Sequence, residues 1–361
     1  MKKIIALILC ISALLLNVGC KKEKYPEIES TKEEARVMMS FDIDGEKYEM
    51  KYELYRALFL NFSNRYDNGD KSFWDKESSK AALDEINAEI LEYTLDIFAT
   101  LHVAKSIGFD PYSKDAEQTI KDYIIKSVEG DGETIIGFGG DYDAYLESLK
   151  AANVNYSVQK LLLRYSISYD RIIAHYEGTV NENNPSESTG GALQFTREDV
   201  LSFYNGNDAV RVSPVTLKIS YEKSLEIRNK IADADTMSEA LEIAIKSTTA
   251  SETDIFDGVV IGTHTLDKAY YNDVTAAAFA LKDYETSELI TVATDYGTEY
   301  WILYKQPKSQ EHFDKCYNDM VSVYKSQKIG ETINSVKERL KSTLSETEVY
   351  KNLKHSDISM K

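Results

Sequence analysis

Proton, metal or covalent chemistry in this chain falls to five histidines and three cysteines, and none of their spacings builds a site. His102, His175, His264, His312 and His355 are scattered, with no pair at metal-ligand spacing and no HExxH. No serine sits in a GxSxG elbow and no phosphate-cradling P-loop is present. Gly137-Phe138-Gly139-Gly140 lacks the strand-then-helix setting that holds a dinucleotide, and reads as a loop. The expected catalytic set is empty, and no metal or cofactor is expected. The 25 tyrosines offer a different chemistry. Tyr52 and Tyr55, Tyr142 and Tyr145, and Tyr165, Tyr169 and Tyr176 recur at helical spacing, each a large flat surface with a polar tip. Such surfaces suit varied peptides, although at any single position semi-buried helix packing is the favoured reading.

The cysteines point to a membrane. Lys2 and Lys3 precede an apolar run from Ile4 to Leu16, too short to span a bilayer but suited to a signal-peptide core. The run closes on Asn17-Val18-Gly19-Cys20, followed by Lys21, Lys22 and Lys24. A small residue before a cysteine at that place resembles the lipobox of bacterial lipoproteins, with Asn17 in place of the usual aliphatic residue. The resemblance implies removal of residues 1–19 and acylation of Cys20. Lipid plus lysines then anchors the chain outside the cytoplasm. Cys10 lies in the discarded segment, so Cys316 is the one thiol left, and it reads as a helix residue. The formal net charge of -18 argues against nucleic acid as a partner, because phosphate binding needs a concentrated positive surface.

The elements that would carry a function follow from hydrophobic period and caps. Residues 20–38 read as a tether. Asp44-Gly45 between alternating apolar residues predicts a hairpin over Met39–Met50, and a helix follows with Tyr52, Tyr55, Leu58 and Phe59 on one face. Residues 63–79 read as a loop. From about Lys80 to Ile107, Leu83, Ile86, Ile90, Tyr93, Ile97, Leu101 and Ala104 form one helical stripe, stopped by Gly108. A helix starts near Lys114. Another stretch covers Asp141–Tyr176, broken at Ala152–Asn155, with Asn155 as the second N-cap. Residues 177–192, rich in Asn, Ser, Glu and Gly without apolar period, read as a linker. Thr196 caps a short helix. Strand-like Val210–Leu217, helices around Leu225–Ile245, strand-like Val259–Ile261, a helix over Val274–Leu281 and a closing hairpin over Leu289–Tyr304 come next. Residues from Lys308 to Leu353 read as helical.

This order, with four stretches of text, resembles the SurA/PrsA foldases, in which a parvulin domain is inserted into a helical chaperone lobe. Phe41-Asp-Ile-Asp-Gly-Glu-Lys-Tyr48 is similar to the family's opening hairpin. Ala104-Lys-Ser-Ile-Gly-Phe-Asp-Pro-Tyr-Ser-Lys-Asp-Ala-Glu117 is similar to its helix-to-helix step, and Gln194-Phe-Thr-Arg-Glu-Asp-Val-Leu-Ser-Phe-Tyr204 to the helix that leads into the inserted domain. Ala276-Ala-Ala-Phe-Ala-Leu-Lys-Asp-Tyr-Glu-Thr-Ser-Glu288 is similar to a parvulin segment and is the most specific of the four. The implied fold class is α+β: a mainly helical lobe over 39–207 joined by a returning segment at 307–361, with an inserted parvulin-like α/β domain over 208–306. Tyr270, Val274 and Phe279 are the candidates for contact with a bound peptide.

Departures from the family set the chemistry. Active parvulins carry a histidine in a V-R-x-S-H setting; here Val210-Arg211-Val212-Ser213 is followed by Pro214. A second histidine belongs in the closing strand, where Glu299 or Trp301 stands. The family's acidic or cysteine residue corresponds at best to Asp254. Prolyl isomerisation needs a pocket that weakens the amide resonance behind a barrier of roughly 20 kcal/mol, and proline supplies no donor to such a pocket. The resemblance therefore implies an extracytoplasmic foldase or holdase for unfolded or partly folded secreted polypeptides, its isomerase site degenerate. A working isomerase with an atypical site, and a lipoprotein partner dedicated to one secretion or envelope complex, are the alternatives.

Overall fold

The computed structural model describes residues 25–132, 135–181, 184–248, 252–266, 268–294 and 297–360. Cys20 and the signal segment lie outside them. The chain is a mainly helical α+β protein that divides into two compact units: unit 1, up to Ile172 and again from Thr332, and unit 2, Ile173–Glu331. Among the described residues no helix is long and apolar enough to cross a membrane.

Unit 1 opens with β1 (Val37–Ile43) and β2 (Glu46–Lys51), paired antiparallel from Ile43↔Glu46 to Val37↔Lys51. Asp44 and Gly45 both take positive φ, 52° and 81°, the turn whose twist matches the flanking strands. A third strand, β9 (Ser345–Glu346), joins the other edge of β1 through Met39↔Glu346 and Ser40↔Ser345. Its two residues carry no apolar period, and sequence reading takes them as helix. The sheet order β2-β1-β9 leaves β2 at an edge.

Five α-helices follow β2 in unit 1 before the chain passes to unit 2. The first, Tyr52–Asp67, extends past residue 63 into the stretch expected as loop. There the Trp74 indole, from a short 3-10 turn at Lys71–Asp75, donates to Asp67 at 2.7 Å and holds the extra turn in place. Lys80–Ser106 buries the expected Ile86, Ile90, Ile97, Leu101 and Ala104, and Leu83 and Tyr93 are half-buried. From Thr94 to Ala104 the burial runs nearly all round the helix, a pattern broader than one stripe. Ser113, Asp141 and Asn155 cap the helices Lys114–Glu129, Tyr142–Ala151 and Tyr156–Glu177, the last as its side chain predicts. The returning segment is held by Lys337, whose ammonium lies 2.8 Å from both Glu92 and Asp96.

One buried carboxylate ties these parts together. Glu53, 4% exposed, accepts from Ser30 Oγ at 2.6 Å, Asn155 Nδ2 at 2.9 Å and Ser157 Oγ at 2.9 Å. Asn155 Nδ2 also reaches Glu34 Oε1 at 3.1 Å, and Arg56 donates to the same oxygen at 2.7 Å. The segment before β1, the first helix and the start of Tyr156–Glu177 are thus fixed by one hydrogen-bonded set. Each such bond to a charged acceptor contributes about 1.5–3 kcal/mol.

In unit 2, residues 177–192 are not an open linker: β3 (Gly178–Asn181) pairs antiparallel with β4 (Asn184–Gly190). No apolar alternation marks this ribbon in the sequence. Thr196 and Asp199 form a reciprocal capping box for Arg197–Asn205. The main sheet is antiparallel with order β6-β5-β8-β7, from β5 (Ala209–Leu217), β6 (Val259–Gly262), β7 (Ile290–Thr294) and β8 (Gly297–Gln306). Helices Tyr221–Ala232, Met237–Ser247 and Glu252–Asp257 join β5 to β6, and Val215, Leu217, Ile302 and Tyr304 bury one sheet face against them. Helix Lys268–Ala280 covers the other face over Val210, Val212, Ile290, Val292 and Leu303.

The network around Glu53 sets an acid limit on unit 1. Burial opposes ionisation of Glu34, yet the Thr31 amide, Arg56 and Asn155 hold its carboxyl down to about 2, from an ordinary 4.5. A carboxyl lowered on folding stabilises the fold fully above its unfolded value and loses that contribution as pH falls toward the folded one. Urea-unfolding midpoints of unit 1 should therefore fall between pH 4.5 and about 2, and Glu34→Gln should lower stability at pH 7 while flattening that acid slope. An unchanged slope in the variant would place the acid sensitivity elsewhere.

Candidate functional site

The two positions where the parvulin resemblance puts histidines lie on one face of unit 2's sheet. Pro214 on β5 stands opposite Leu303 on β8, and Trp301 on β8 stands opposite Thr216 on β5. Equal parity across paired strands puts Pro214, Thr216, Trp301 and Glu299 on the same side. A proline inside a central strand would normally cost a ladder bond. Here it costs none. Thr216 N–H donates to Thr248 Oγ1 at 3.0 Å, away from β8, and Leu303 N–H donates to Ser287 Oγ at 2.9 Å, away from β5. By the two-residue period, the Pro214 nitrogen also points away from β8, toward the side where β6 has already ended at the Val212↔Val259 pair.

Around this pair the polar groups are already matched. The Trp301 indole donates to Glu299 Oε2 at 3.3 Å, its ring meets Tyr271 edge-on at 5.3 Å, and Glu299 Oε1 lies 3.0 Å from Lys218 Nζ. The face thus offers an aromatic wall and a matched ion pair, with no imidazole at either family position. Val274 is fully buried in the core between helix and sheet, and Phe279 is half-buried against the same cluster. Tyr270's side chain lies outside the described residues. Asp254 sits in helix Glu252–Asp257, on the chain segment facing the opposite side of the sheet. There Gln306 donates to Ser213 Oγ at 2.5 Å and to the Ile255 carbonyl at 3.1 Å.

One histidine of unit 2 has a defined buried role that its position in the sequence did not signal. His312, 4% exposed, sits with Nδ1 2.9 Å from the Tyr204 hydroxyl and Nε2 3.2 Å from the Gly258 carbonyl. Burial and the Arg211 charge lower its pKa, which keeps the ring neutral and structural. Cys316 falls at the junction between helices Gln310–Lys315 and Tyr317–Lys341, and burial with the charges of Asp257 and Asp319 pushes its thiol pKa up, against a nucleophilic role. Among the described residues, no group of three or more His, Cys, Asp or Glu could hold a metal ion.

Unit 1 carries a cavity of about 290 Å³ along β2. Glu46–Glu49 of the strand line it together with Phe98, Leu101, Tyr112, Val158 and Leu161. Tyr112 is 55% exposed and its ring lies 4.4 Å from the Arg164 guanidinium. Arg164 in turn donates to the Pro111 carbonyl at 2.8 Å and pairs with Glu117. Lys105 and Glu46 close one end at 2.5 Å. A strand edge beside an apolar lining can take up an extended peptide by main-chain pairing. The signal in the sequence was the alternation of Lys47, Glu49 and Lys51 on exposed positions, a pattern that guards an edge strand from pairing with its own kind.

The chain matches no protein-family model and no curated protein. Among solved structures it is similar, along most of its length, to proteins called PrsA, the first two below described as foldase proteins. That of Streptococcus pneumoniae is 15% identical, with 83% of this chain and 92% of that chain covered and a TM-score of 0.26. That of Lactococcus lactis is 15% identical, with 87% and 95% covered and a TM-score of 0.24. That of Bacillus subtilis is 16% identical, with 90% and 98% covered and a TM-score of 0.24. Likeness at such TM-scores carries no argument about this chain.

Because Pro214 forfeits no ladder bond, Pro214→Ala should lower the urea-unfolding stability of the chain by about 1–2 kcal/mol, from unfolded-chain entropy and lost ring contacts. A proline that broke the ladder would give the opposite sign, a gain in stability on substitution.

Proposed function

We propose that this chain is an extracytoplasmic chaperone, tethered to the membrane by lipid on Cys20, that holds secreted polypeptides while they fold. Unit 2 is read as the frame of a prolyl isomerase that lacks the family's two histidines. The observation that carries this reading is the sheet face bearing Pro214 and Trp301. Where the resemblance calls for two histidines, one position has no donor and the other an indole committed to Glu299. The face is closed by packing and matched charge, so its worth is structural.

Holding is assigned to the unit 1 cavity. An unfolded segment arrives extended, with unpaired backbone donors and acceptors. The outer edge of β2 can pair with that backbone while Tyr112 and Leu161 accept its apolar side chains. Main-chain pairing is indifferent to sequence, which suits a helper that meets many clients. The exposed charges of Lys47, Glu49 and Lys51 keep two copies from joining edge to edge.

The test joins two assays on the purified full chain. Uncatalysed cis–trans exchange in a proline peptide takes tens to hundreds of seconds, and the chain should leave that rate unchanged. It should nevertheless slow the aggregation of a denatured client, and Leu161→Glu should weaken that protection severalfold by placing a charge on the cavity wall. Strong acceleration of exchange, abolished by changes at Pro214 or Trp301, would instead identify a working isomerase with an atypical site. Absence of both activities would favour a partner dedicated to one secretion or envelope complex.

A further inference from the structure

The loop between helices Lys114–Glu129 and Tyr142–Ala151 spends its backbone geometry on exposing apolar residues. Ile136 is 96% exposed, more than any other large apolar side chain among the described residues, and Phe138 37%. The loop is closed at its base. Phe138 and Gly140 amides both donate to the Val128 carbonyl, at 2.8 and 2.9 Å. Asp131 N–H donates to the Ile135 carbonyl at 3.0 Å, and the Ile135 amide donates to Asp131 Oδ1 at 2.7 Å. Two glycines make this possible. A Cβ on Gly137 would come within 2.2 Å of the Gly130 nitrogen, and one on Gly130 within 2.6 Å of the Ile136 carbonyl, and both residues hold positive φ. Ile136 is therefore presented by a braced turn.

The same end of unit 1 is where the tether leaves. The Tyr25 ring lies 5.2 Å from that of Tyr142, and the Tyr25 hydroxyl donates to Glu129 Oε1 at 3.2 Å. The Tyr142 hydroxyl donates to the Pro26 carbonyl at 2.7 Å, and a Cβ on Gly140 would meet the Tyr25 hydroxyl at 3.6 Å. Tyr25 thus adjoins the foot of the loop. Four residues separate it from Cys20, and the five fully extended steps between the two span at most about 18 Å. Whatever layer holds a lipid on Cys20 lies within that distance of Tyr25.

We propose that Ile136, backed by Phe138, dips into the headgroup layer of the membrane that holds the acyl chains of Cys20, so that unit 1 meets the bilayer at two points. The proposal rests on acylation of Cys20. A lipid surface is the occupant to which the geometry points, because the exposed isoleucine belongs to the loop whose foot adjoins Tyr25, and the short tether before Tyr25 carries Lys21, Lys22 and Lys24 around one acid, Glu23. Glu129, Asp131 and Asp141 flank the tip and oppose an anionic leaflet, so the loop alone binds weakly. The anchor supplies the high local concentration that makes one isoleucine sufficient. The two contacts together restrict how unit 1 can turn above the membrane.

The experiment keeps Ile136 and places a thiol beside it, Ile135→Cys in a Cys316→Ser background, and follows its alkylation by a membrane-impermeant maleimide with the chain in phosphatidylcholine–phosphatidylglycerol vesicles. Mass spectrometry of the N-terminal peptide establishes acylation of Cys20 separately. Relative to the same chain carrying Cys20→Ala and mixed with the same vesicles, the acylated chain should react about tenfold more slowly, if the inserted state holds about nine-tenths of the population. Equal rates with acylation demonstrated would overturn the membrane-dipping loop and leave the anchor standing. A mature N-terminus without lipid would overturn the anchor, and the two-point contact with it.

Discussion

Unit 1 depends on a buried carboxylate. Glu53 lies in the first helix, where isolated ionised groups are costly, and is tolerated because Ser30, Asn155 and Ser157 all donate to it. Those donors come from the segment ahead of β1 and from the start of helix Tyr156–Glu177. Satisfying Glu53 therefore fixes the path of residues 25–36 across the helices. Lys121 and Lys160 hold Glu27 farther along that path, at 3.3 and 3.2 Å. The cavity beside β2 and the place where the tether emerges both inherit their positions from this network.

Unit 2 depends on a different constraint, the antiparallel pairing of β5 with β8. That pairing puts Pro214, Thr216, Trp301 and Leu303 on one face and Ser213, Val215, Ile302 and Tyr304 on the other. Both faces are covered by helices, and the polar groups near Trp301 are matched within the face. The buried apolar faces and the matched groups near Trp301 stabilise this sheet.

Much of this architecture was legible in the sequence where a local rule governs. Asp44-Gly45 specifies its turn through positive φ, and Ser113, Asp141, Asn155 and Thr196 specify helix starts through side-chain acceptors. The strands of unit 2's sheet announce themselves by apolar runs. The rest depends on partners remote in sequence. The β3–β4 ribbon and the two-residue β9 have no apolar period to read. The burial of Val274 follows from which side of helix Lys268–Ala280 meets the sheet. The bond between Tyr204 and His312 joins residues more than a hundred positions apart, and no spacing rule foretells it. The cavity along β2 likewise needs Phe98, Tyr112 and Leu161 brought together by three separate elements.

The central claim is that extended clients are held on unit 1 at the edge of β2, with unit 2 a scaffold that performs no chemistry. Amide hydrogen exchange of the full chain, with and without a permanently unfolded client, tests it most directly, because strand addition gives the outward amides of β2 new acceptors. Slowed exchange should appear across Glu46–Lys51 and in the Tyr112 turn, with β5, β8 and helix Lys268–Ala280 unchanged. Protection confined to Pro214, Trp301 and the helix over them, with β2 exchanging as before, would contradict the account.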